Sequence, residues 1–196
     1  MDDAPILLDR NGLLAAWRRL TTGAETGQRA LCELDGRGEA VMDSHPSARR
    51  QIVLTDIFCH VTDQIGHLAA MTVPVITPSF GIRVPDVVWM PPDKWERFDR
   101  DEPVPFVPDL CVEVLLDSDR QHNIGRRVNA YLQGGADEVI VVGQCGQVEF
   151  WGAEGIRQAS VFGIALSVDN MYFDDLGVSS VPSVRCGQPV VHLRST

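Results

Sequence analysis

Lysine is almost absent from this sequence of 196 residues. Lys94 is the single lysine among the 17 basic residues, and the others are all arginine. Arginine keeps its proton at neutral pH, so it cannot serve as a proton acceptor in catalysis. A mechanism that needs an active-site lysine therefore has one candidate in the chain, Lys94.

Long hydrophobic runs are missing as well. No stretch approaches the ~18 consecutive apolar residues of a membrane-spanning helix, and the first residues lack the basic and apolar regions of a secretory signal. The five cysteines are scattered and include no CxxC pair, which argues against a disulfide framework and against a zinc knuckle. These absences predict a cytoplasmic protein that is neither secreted nor inserted in a membrane.

Motifs of several large enzyme classes are also lacking. The sequence has no GxGxxG, no phosphate-binding P-loop, no HExxH zinc motif and no GxSxG nucleophile turn. The net charge of −10 opposes the general attraction of a protein to nucleic acid. Any nucleic-acid role therefore requires a local basic patch.

The residues that are present predict one α/β domain spanning 1–196. A composition of 44% hydrophobic residues over this length can bury a sizeable core. Apolar residues at steps of three and four predict helices, and runs rich in valine and aromatic residues predict strands. One mixed β-sheet flanked by helices accounts for the order of elements. The expected helices cover 10–20, 47–68 and 120–134, and the expected strands are a hairpin around DGRG with Glu39 on its second strand, then 81–90, 110–116 and 138–143.

A buried carboxylate is predicted at Glu113. In the strand 110–116, alternation puts Cys111, Glu113 and Leu115 on one face, so Glu113 points into an apolar layer. A carboxyl group there must be protonated, paired with a cation or bound to a metal, because an unpaired buried charge is costly. A structural ion pair with an arginine and a functional site both satisfy that requirement.

A second carboxylate, Asp86, lies in the sequence VPDVVW. The loop 91–108 allows its strand to fold back beside the Glu113 strand, so that the two carboxylates would converge. Hard divalent cations such as Mg²⁺ bind one or two carboxylates and take waters and phosphate oxygens as their other ligands. A Pro-Asp pair alone is also a turn signal, so Asp86 predicts a metal site only together with Glu113.

Three arginines belong to the predicted helix that follows the Glu113 strand. Arg120, Arg126 and Arg127 fall within its first two turns. A helix start presents backbone donors, and arginine binds phosphate through paired hydrogen bonds. This pattern predicts phosphate contacts, with a solvated basic face as the simpler interpretation.

Taken in order, three segments resemble the Uma2 family, a bacterial group within the PD-(D/E)xK nuclease superfamily. The segments are RVPDVVW, VPDLCVEVLLDSDR and NIGRRVNAYLQGGADEVIVV, within a stretch from about Glu33 to Trp151. Their order, rather than any one of them, carries the resemblance. The positions that match the family pattern are Asp86, Glu113, Ser118, Arg120, Gly125, Tyr131, Gly135 and Glu138.

The chain also departs from the family pattern at several positions. Arg127 stands where the family carries a helix lysine, and Asn123 stands where it carries an aspartate. Leu116 replaces the usual serine after the EVL run. Arg49 and Arg50 occupy the region near the start of the long helix where family members tend to carry a histidine.

The resemblance implies a restriction-endonuclease-like fold with a motif core at about 33–151, preceded by a helix and followed by a β extension. It implies an endonuclease that hydrolyses DNA, in which Asp86 and Glu113 hold Mg²⁺ or Mn²⁺ and Arg127 takes the catalytic position of the family lysine. Arg120 and Arg126 would contact the nucleic acid, and a homodimer is expected from the resemblance alone. Two alternatives stay open: a degenerate relative that serves as a binding or interaction module, and a hydrolase for a small phosphorylated substrate.

Overall fold

A computed structural model of the chain describes residues 7–22, 32–42, 47–66, 68–116, 123–143 and 146–168. The fold class is α/β, as predicted. The described helices are α1 (Arg10–Thr22), α2 (Ala48–Ile65), α3 (Pro92–Trp95) and α4 (Ile124–Gln133). The described strands are β1 (Cys32–Asp35), β2 (Ala40–Met42), β3 (Ala70–Met71), β4 (Val75–Ile76), β5 (Gly81–Arg83), β6 (Val87–Trp89), β7 (Leu110–Val114), β8 (Glu138–Val142), β9 (Val148–Gly152) and β10 (Gly155–Arg157).

The larger sheet is mixed and has six strands in the order β10-β9-β8-β7-β6-β3. Strands β7 and β8 run parallel, whereas the other neighbouring pairs are antiparallel. Helix α4 lies between β7 and β8 in the chain, because a parallel pair requires a crossover connection. Both strands are buried at all five positions, which is typical of a sheet covered on both faces.

Helices α2 and α4 cover the two faces of this sheet. Leu110, Val112 and Val114 of β7 lie in the core that α2 completes, while Cys111 lies with Val128 of α4 in a second core. The predicted alternation of the strand 110–116 is therefore confirmed. Glu113 belongs to the face that α4 covers.

A second sheet is antiparallel, with strands in the order β2-β1-β5-β4, and packs against α1. The prediction of a single strand over 81–90 is wrong, because β5 ends at Arg83 and β6 begins at Val87 in the other sheet. Pro85 lies in the break, and a proline cannot donate a ladder hydrogen bond within a central strand. The break puts Val84 beside the smaller sheet and Asp86 beside the larger one.

The close approach of β5 to β1 depends on Gly81. Its backbone has a φ of 130°, and a Cβ atom there would lie 2.4 Å from the carbonyl oxygen of Leu34. A residue with a side chain would have to push the two strands apart. Gly81 therefore helps to hold Arg83 of β5 near Glu33 of β1.

Local signals explain where the longer helices begin and end. Asp9 Oδ1 accepts a hydrogen bond from the Gly12 amide at 2.8 Å before α1, and Ser47 Oγ accepts from the Arg50 amide at 3.1 Å before α2. Gly66 has a φ of 76° and ends α2. None of the helices in the described part of the chain is long and apolar enough to span a membrane.

Several predicted boundaries differ from the structure. Glu39 precedes β2, which begins at Ala40, and β7 ends at Val114 rather than Leu116. Leu68 is exposed beyond the end of α2, because the left-handed Gly66 has already stopped the helix. Helix α4 begins at Ile124, and Arg120 and Ser118 lie outside the described residues.

Candidate active site

The two predicted site carboxylates lie on neighbouring strands. Strands β6 and β7 pair Val87 with Val112 in antiparallel register. Asp86 lies one residue before β6, and Glu113 lies one residue after Val112 in β7. The Asp86 amide donates to the Val112 carbonyl oxygen at 3.0 Å, which places Asp86 beside β7. The structure thus brings the backbone of Asp86 next to β7, and the sharing of one cation by the Asp86 and Glu113 carboxylates stays a prediction.

Both oxygens of the Asp86 carboxylate accept hydrogen bonds. Arg50 Nη2 donates to Oδ1, and the backbone amide of Val114 donates to Oδ2 at 2.7 Å. Arg50 Nη1 also donates to the Val114 carbonyl oxygen at 3.2 Å. Arg50 therefore connects the start of α2 to the end of β7, with its side chain 1% exposed.

Glu113 is fully buried and contacts two groups of α4. The Tyr131 hydroxyl donates to its Oε1 at 2.6 Å, and Arg127 Nε lies 3.0 Å from the same oxygen. Arg127 and Tyr131 both reach Glu113 because residues four apart lie on one side of a helix. The structure thus gives Glu113 the arginine partner that was one of the two explanations for a buried carboxylate.

Glu33 in β1 contacts two arginines, Arg127 of α4 and Arg83 of β5. Arg127 Nη2 lies 2.8 Å from Glu33 Oε1, and Arg83 Nη1 donates to Oε2 at 2.8 Å. The Val84 amide donates to Oε1 at 3.0 Å. Arg83 also lies over the ring of Phe80, with 3.6 Å between Cζ and the ring centroid.

Burial changes the titration of Tyr131. Loss of solvent raises its pKa well above the ordinary value, and the negative charge of Glu113 acts in the same direction. The phenol therefore stays protonated and donates to Glu113 across the physiological range of pH. Burial likewise raises the pKa of Cys111, which keeps that thiol neutral within the core.

These contacts form two groups, the pair Arg50–Asp86 and the chain Arg83–Glu33–Arg127–Glu113. The two groups are named together the charged cluster. Its members are buried. Three carboxylates face three guanidinium groups, so the formal charges cancel. Truncating one partner of such an ion pair is expected to destabilise the fold strongly, because it leaves a buried charge without compensation.

The donor set fits a hard divalent cation in its chemistry. Asp86 and Glu113 supply carboxylate oxygens, and the guanidinium of Arg50 already stands at Asp86 as a cation of the chain itself. Among the described residues there is no group of three or more His, Cys, Asp or Glu side chains arranged to hold a metal. A cation here would therefore need water and phosphate oxygens to complete its coordination, as Mg²⁺ does in many phosphate-binding sites.

The other predicted residues are placed apart from the cluster or outside the description. Arg126 is exposed on α4. Lys94 pairs with Asp109 at 2.6 Å, just before the first residue of β7. Glu113 lies four residues further along, which is roughly 13 Å in a strand. Lys94 therefore cannot replace Arg127 at the carboxylates in this conformation.

Three members of the cluster were not predicted as site residues: Glu33, Arg50 and Arg83. A usable signal existed for two of them. Glu33 lies between Cys32 and Leu34 in a short strand, and Arg50 precedes Leu54 and Ile57 at the spacing of an apolar helix stripe. A charged residue within an apolar pattern predicts a buried partner, but the pattern does not identify that partner.

Comparisons with known proteins identify the family and the fold of the chain. Residues 18–162 match the profile of the Uma2 family, described as "Putative restriction endonuclease". A solved structure described as a "putative nuclease belonging to DUF820", from Anabaena variabilis, has a TM-score of 0.50 and 11% sequence identity, with 70% of this chain and 87% of that chain covered. At this identity the similarity concerns the fold alone. No curated protein matches the chain.

Proposed function

Because the chain belongs to the Uma2 family of restriction-endonuclease-like proteins, we propose that it is a metal-dependent endonuclease that hydrolyses phosphodiester bonds of DNA. The observation that carries the proposal is that Asp86 and Glu113 are both buried and that Asp86, just before β6, is hydrogen-bonded to β7, the strand that carries Glu113. Pairs of carboxylates are the protein ligands that Mg²⁺ and Mn²⁺ use at phosphate-transfer sites.

Asp86 and Glu113 would hold the cation, which is Mg²⁺ or Mn²⁺. When bound, such an ion activates water and neutralises charge that develops on a phosphate. The backbone amide of Val114 keeps Asp86 oriented, and the Tyr131 hydroxyl does the same for Glu113. The two carboxylates are thus positioned before any ligand arrives.

Arg127 is proposed as an electrostatic catalytic group. Its guanidinium lies beside Glu113 and can stabilise negative charge on the scissile phosphate, but it does not give up its proton near neutral pH. The exposed Arg126, one position earlier on α4, is proposed to contact the DNA backbone, together with Arg120. A homodimer and a cytoplasmic location complete the proposal, the latter because five scattered cysteines without a CxxC pair suit a reducing compartment.

The experiment compares the wild-type chain with Asp86→Asn, which keeps the size of the side chain and removes its charge. Plasmid DNA is incubated with each protein and Mg²⁺ or Mn²⁺, and melting temperatures are measured with and without metal. We expect cleavage and a metal-dependent rise in melting temperature for the wild type only, because a ligand that binds the folded state stabilises it. Equal melting shifts in both proteins would contradict the assignment of Asp86.

A second function is favoured by one specific observation. Asp86, Glu113 and Glu33 each contact an arginine, so the carboxylates are balanced without a metal. This supports a degenerate nuclease-fold protein that acts as a binding or interaction module. Absence of cleavage on single-stranded and double-stranded substrates with either metal, for both the wild type and Arg127→Lys, would favour that function.

Arg127→Lys also tests the catalytic part of the proposal. If a lysine amine is needed for proton transfer, the substitution is expected to raise cleavage by about 10²–10⁴-fold, the usual contribution of general acid–base catalysis. A wild-type protein that is fully active and is damaged by the substitution would show that the guanidinium is sufficient. Gel analysis of initial cleavage rates distinguishes the two results.

A further inference from the structure

The carboxylate of Asp86 already has a cationic partner from the chain. Arg50 Nη2 donates to Asp86 Oδ1, and both side chains are almost inaccessible to solvent. Because little water surrounds the pair, the attraction between the two charges is screened only weakly. We propose that Arg50 stands in for a divalent cation at Asp86 and that its positive charge weakens the binding of Mg²⁺ or Mn²⁺ there. This inference rests on the proposed role of Asp86 as a metal ligand.

The way in which Arg50 is held supports this role. It follows the N-cap of α2 by three residues and lies on the helix face that also carries the buried Val53, Leu54 and Ile57. Its Nη1 donates to the Val114 carbonyl oxygen, while its Nε is buried without a hydrogen-bond partner among the described residues. A buried donor without an acceptor is unfavourable, so the attraction of Asp86 is the main interaction that keeps the guanidinium inside.

The charge of the cluster leads to the same conclusion. Three carboxylates and three guanidinium groups are balanced, so an added divalent cation would leave an excess of positive charge in a buried region. A neutral residue at position 50 would leave the cluster with one negative charge. A divalent cation at Asp86 then leaves one excess positive charge, instead of the two that it would leave in the wild type.

The test measures metal affinity in the full chain with a neutral residue at position 50. Arg50→Met keeps much of the length of the side chain and removes its charge. Titration calorimetry with Mn²⁺, and melting temperatures with and without Mn²⁺, are compared for the wild type, Arg50→Met and Arg49→Met. We expect Mn²⁺ to bind about tenfold or more tightly to Arg50→Met than to the wild type, since removing a nearby unit charge has an effect of at least this size.

Two controls show whether the gain arises at Asp86. Arg49→Met removes the same charge from the adjacent position of α2, outside the charged cluster, and is expected to bind Mn²⁺ as the wild type does. Asp86→Asn in the Arg50→Met background is expected to abolish both the gain in affinity and the metal-dependent rise in melting temperature. A gain that survives Asp86→Asn overturns the inference.

A folded Arg50→Met chain that binds Mn²⁺ no more tightly than the wild type also overturns it. Should circular dichroism show that this variant is unfolded, Arg50→Gln is measured against the same criterion, because its amide can still donate to Asp86. Cleavage of plasmid DNA is scored separately. Tighter Mn²⁺ binding by Arg50→Met, without cleavage by any variant, upholds the inference and contradicts the nuclease function. Mg²⁺-dependent cleavage with unchanged Mn²⁺ affinity contradicts the inference and upholds the nuclease function.

Discussion

Two glutamates of the larger sheet are fully buried, and the structure holds them in different ways. Glu113 in β7 contacts the Arg127 guanidinium and the Tyr131 hydroxyl. Glu138, at the start of the parallel neighbour β8, accepts from Ser160 Oγ at 2.6 Å and from the Val161 amide at 2.7 Å. Uncharged donors thus satisfy one carboxylate, and a cation and a phenol satisfy the other.

The difference shows that burial alone does not mark a functional carboxylate. Neutral groups make both hydrogen bonds to the Glu138 carboxylate, and the nearest guanidinium, that of Arg157, instead bonds the neighbouring Asp137 carbonyl oxygen. The guanidinium beside Glu113 is an opposite charge, and in a nuclease-like site it occupies a region where a cation or a phosphate would interact. The kind of partner, rather than the depth of burial, separates the two positions.

The largest loss of stability is expected when the Arg127 guanidinium beside Glu113 is removed. Arg127→Met removes the guanidinium that contacts both Glu113 and Glu33, while Arg83 still contacts Glu33. We expect the free energy of unfolding to fall by about 3–5 kcal/mol, as for other broken buried ion pairs. Arg126→Met, on the exposed side of the same helix, is the matched control and should change stability by less than about 0.5 kcal/mol. Urea denaturation measures both, and equal losses would contradict the cluster.

The two glutamates can be compared directly by the same substitution. Glu113→Gln removes a charge that pairs with Arg127, and we expect a loss of about 2–3 kcal/mol. Glu138→Gln removes a charge that neutral donors hold, so the expected loss is smaller, about 1–2 kcal/mol. Urea denaturation of the two variants measures both losses. A larger loss for Glu138→Gln than for Glu113→Gln would contradict the expected order.

Tyr131 should add a pH-dependent part to the stability of the Glu113 region. Its folded-state pKa is raised by burial and by Glu113, while the unfolded value is near ~10. Its contribution is therefore complete below pH ~10 and is lost as the pH rises above that value, by up to about 1.4 kcal/mol per pH unit. Tyr131→Phe should lower stability at neutral pH by about 1–2 kcal/mol and make the decline above pH ~10 less steep. An unchanged alkaline slope in the variant would show that Tyr131 titrates normally.

The smallest effect is expected at Lys94. Its pair with Asp109 is partly exposed, with side chains 33% and 13% accessible, and lies at the opposite end of β7 from Val114. We expect Lys94→Met to change the free energy of unfolding by no more than about 1 kcal/mol, because screened ion pairs contribute little. Cleavage of DNA should be unchanged, and a clear loss of cleavage would mean that Lys94 reaches the carboxylates in the active conformation.

Local patterns were sufficient where the structure depends on neighbours along the chain. The alternation around Glu113 predicted its burial and its face, because successive residues of a strand point to opposite sides. The apolar stripe of α2 and the glycines after α4 predicted two helices in the same way. The prediction failed at 81–90, because a valine-rich run does not indicate that the strands before and after Pro85 belong to different sheets.

By itself the sequence determined the α/β class, the buried glutamate of β7 and, through ordered motifs, the family to which the chain belongs. The tertiary structure alone decided which arginine meets which carboxylate. Glu33 and Arg127 are 94 residues apart in the chain, and Arg50 and Asp86 are 36 apart. Such pairs form because the packing of two sheets and two helices buries their charged side chains next to each other, where water does not reach. Within that region each charge needs an opposite one nearby, and only the packing determines which one it finds.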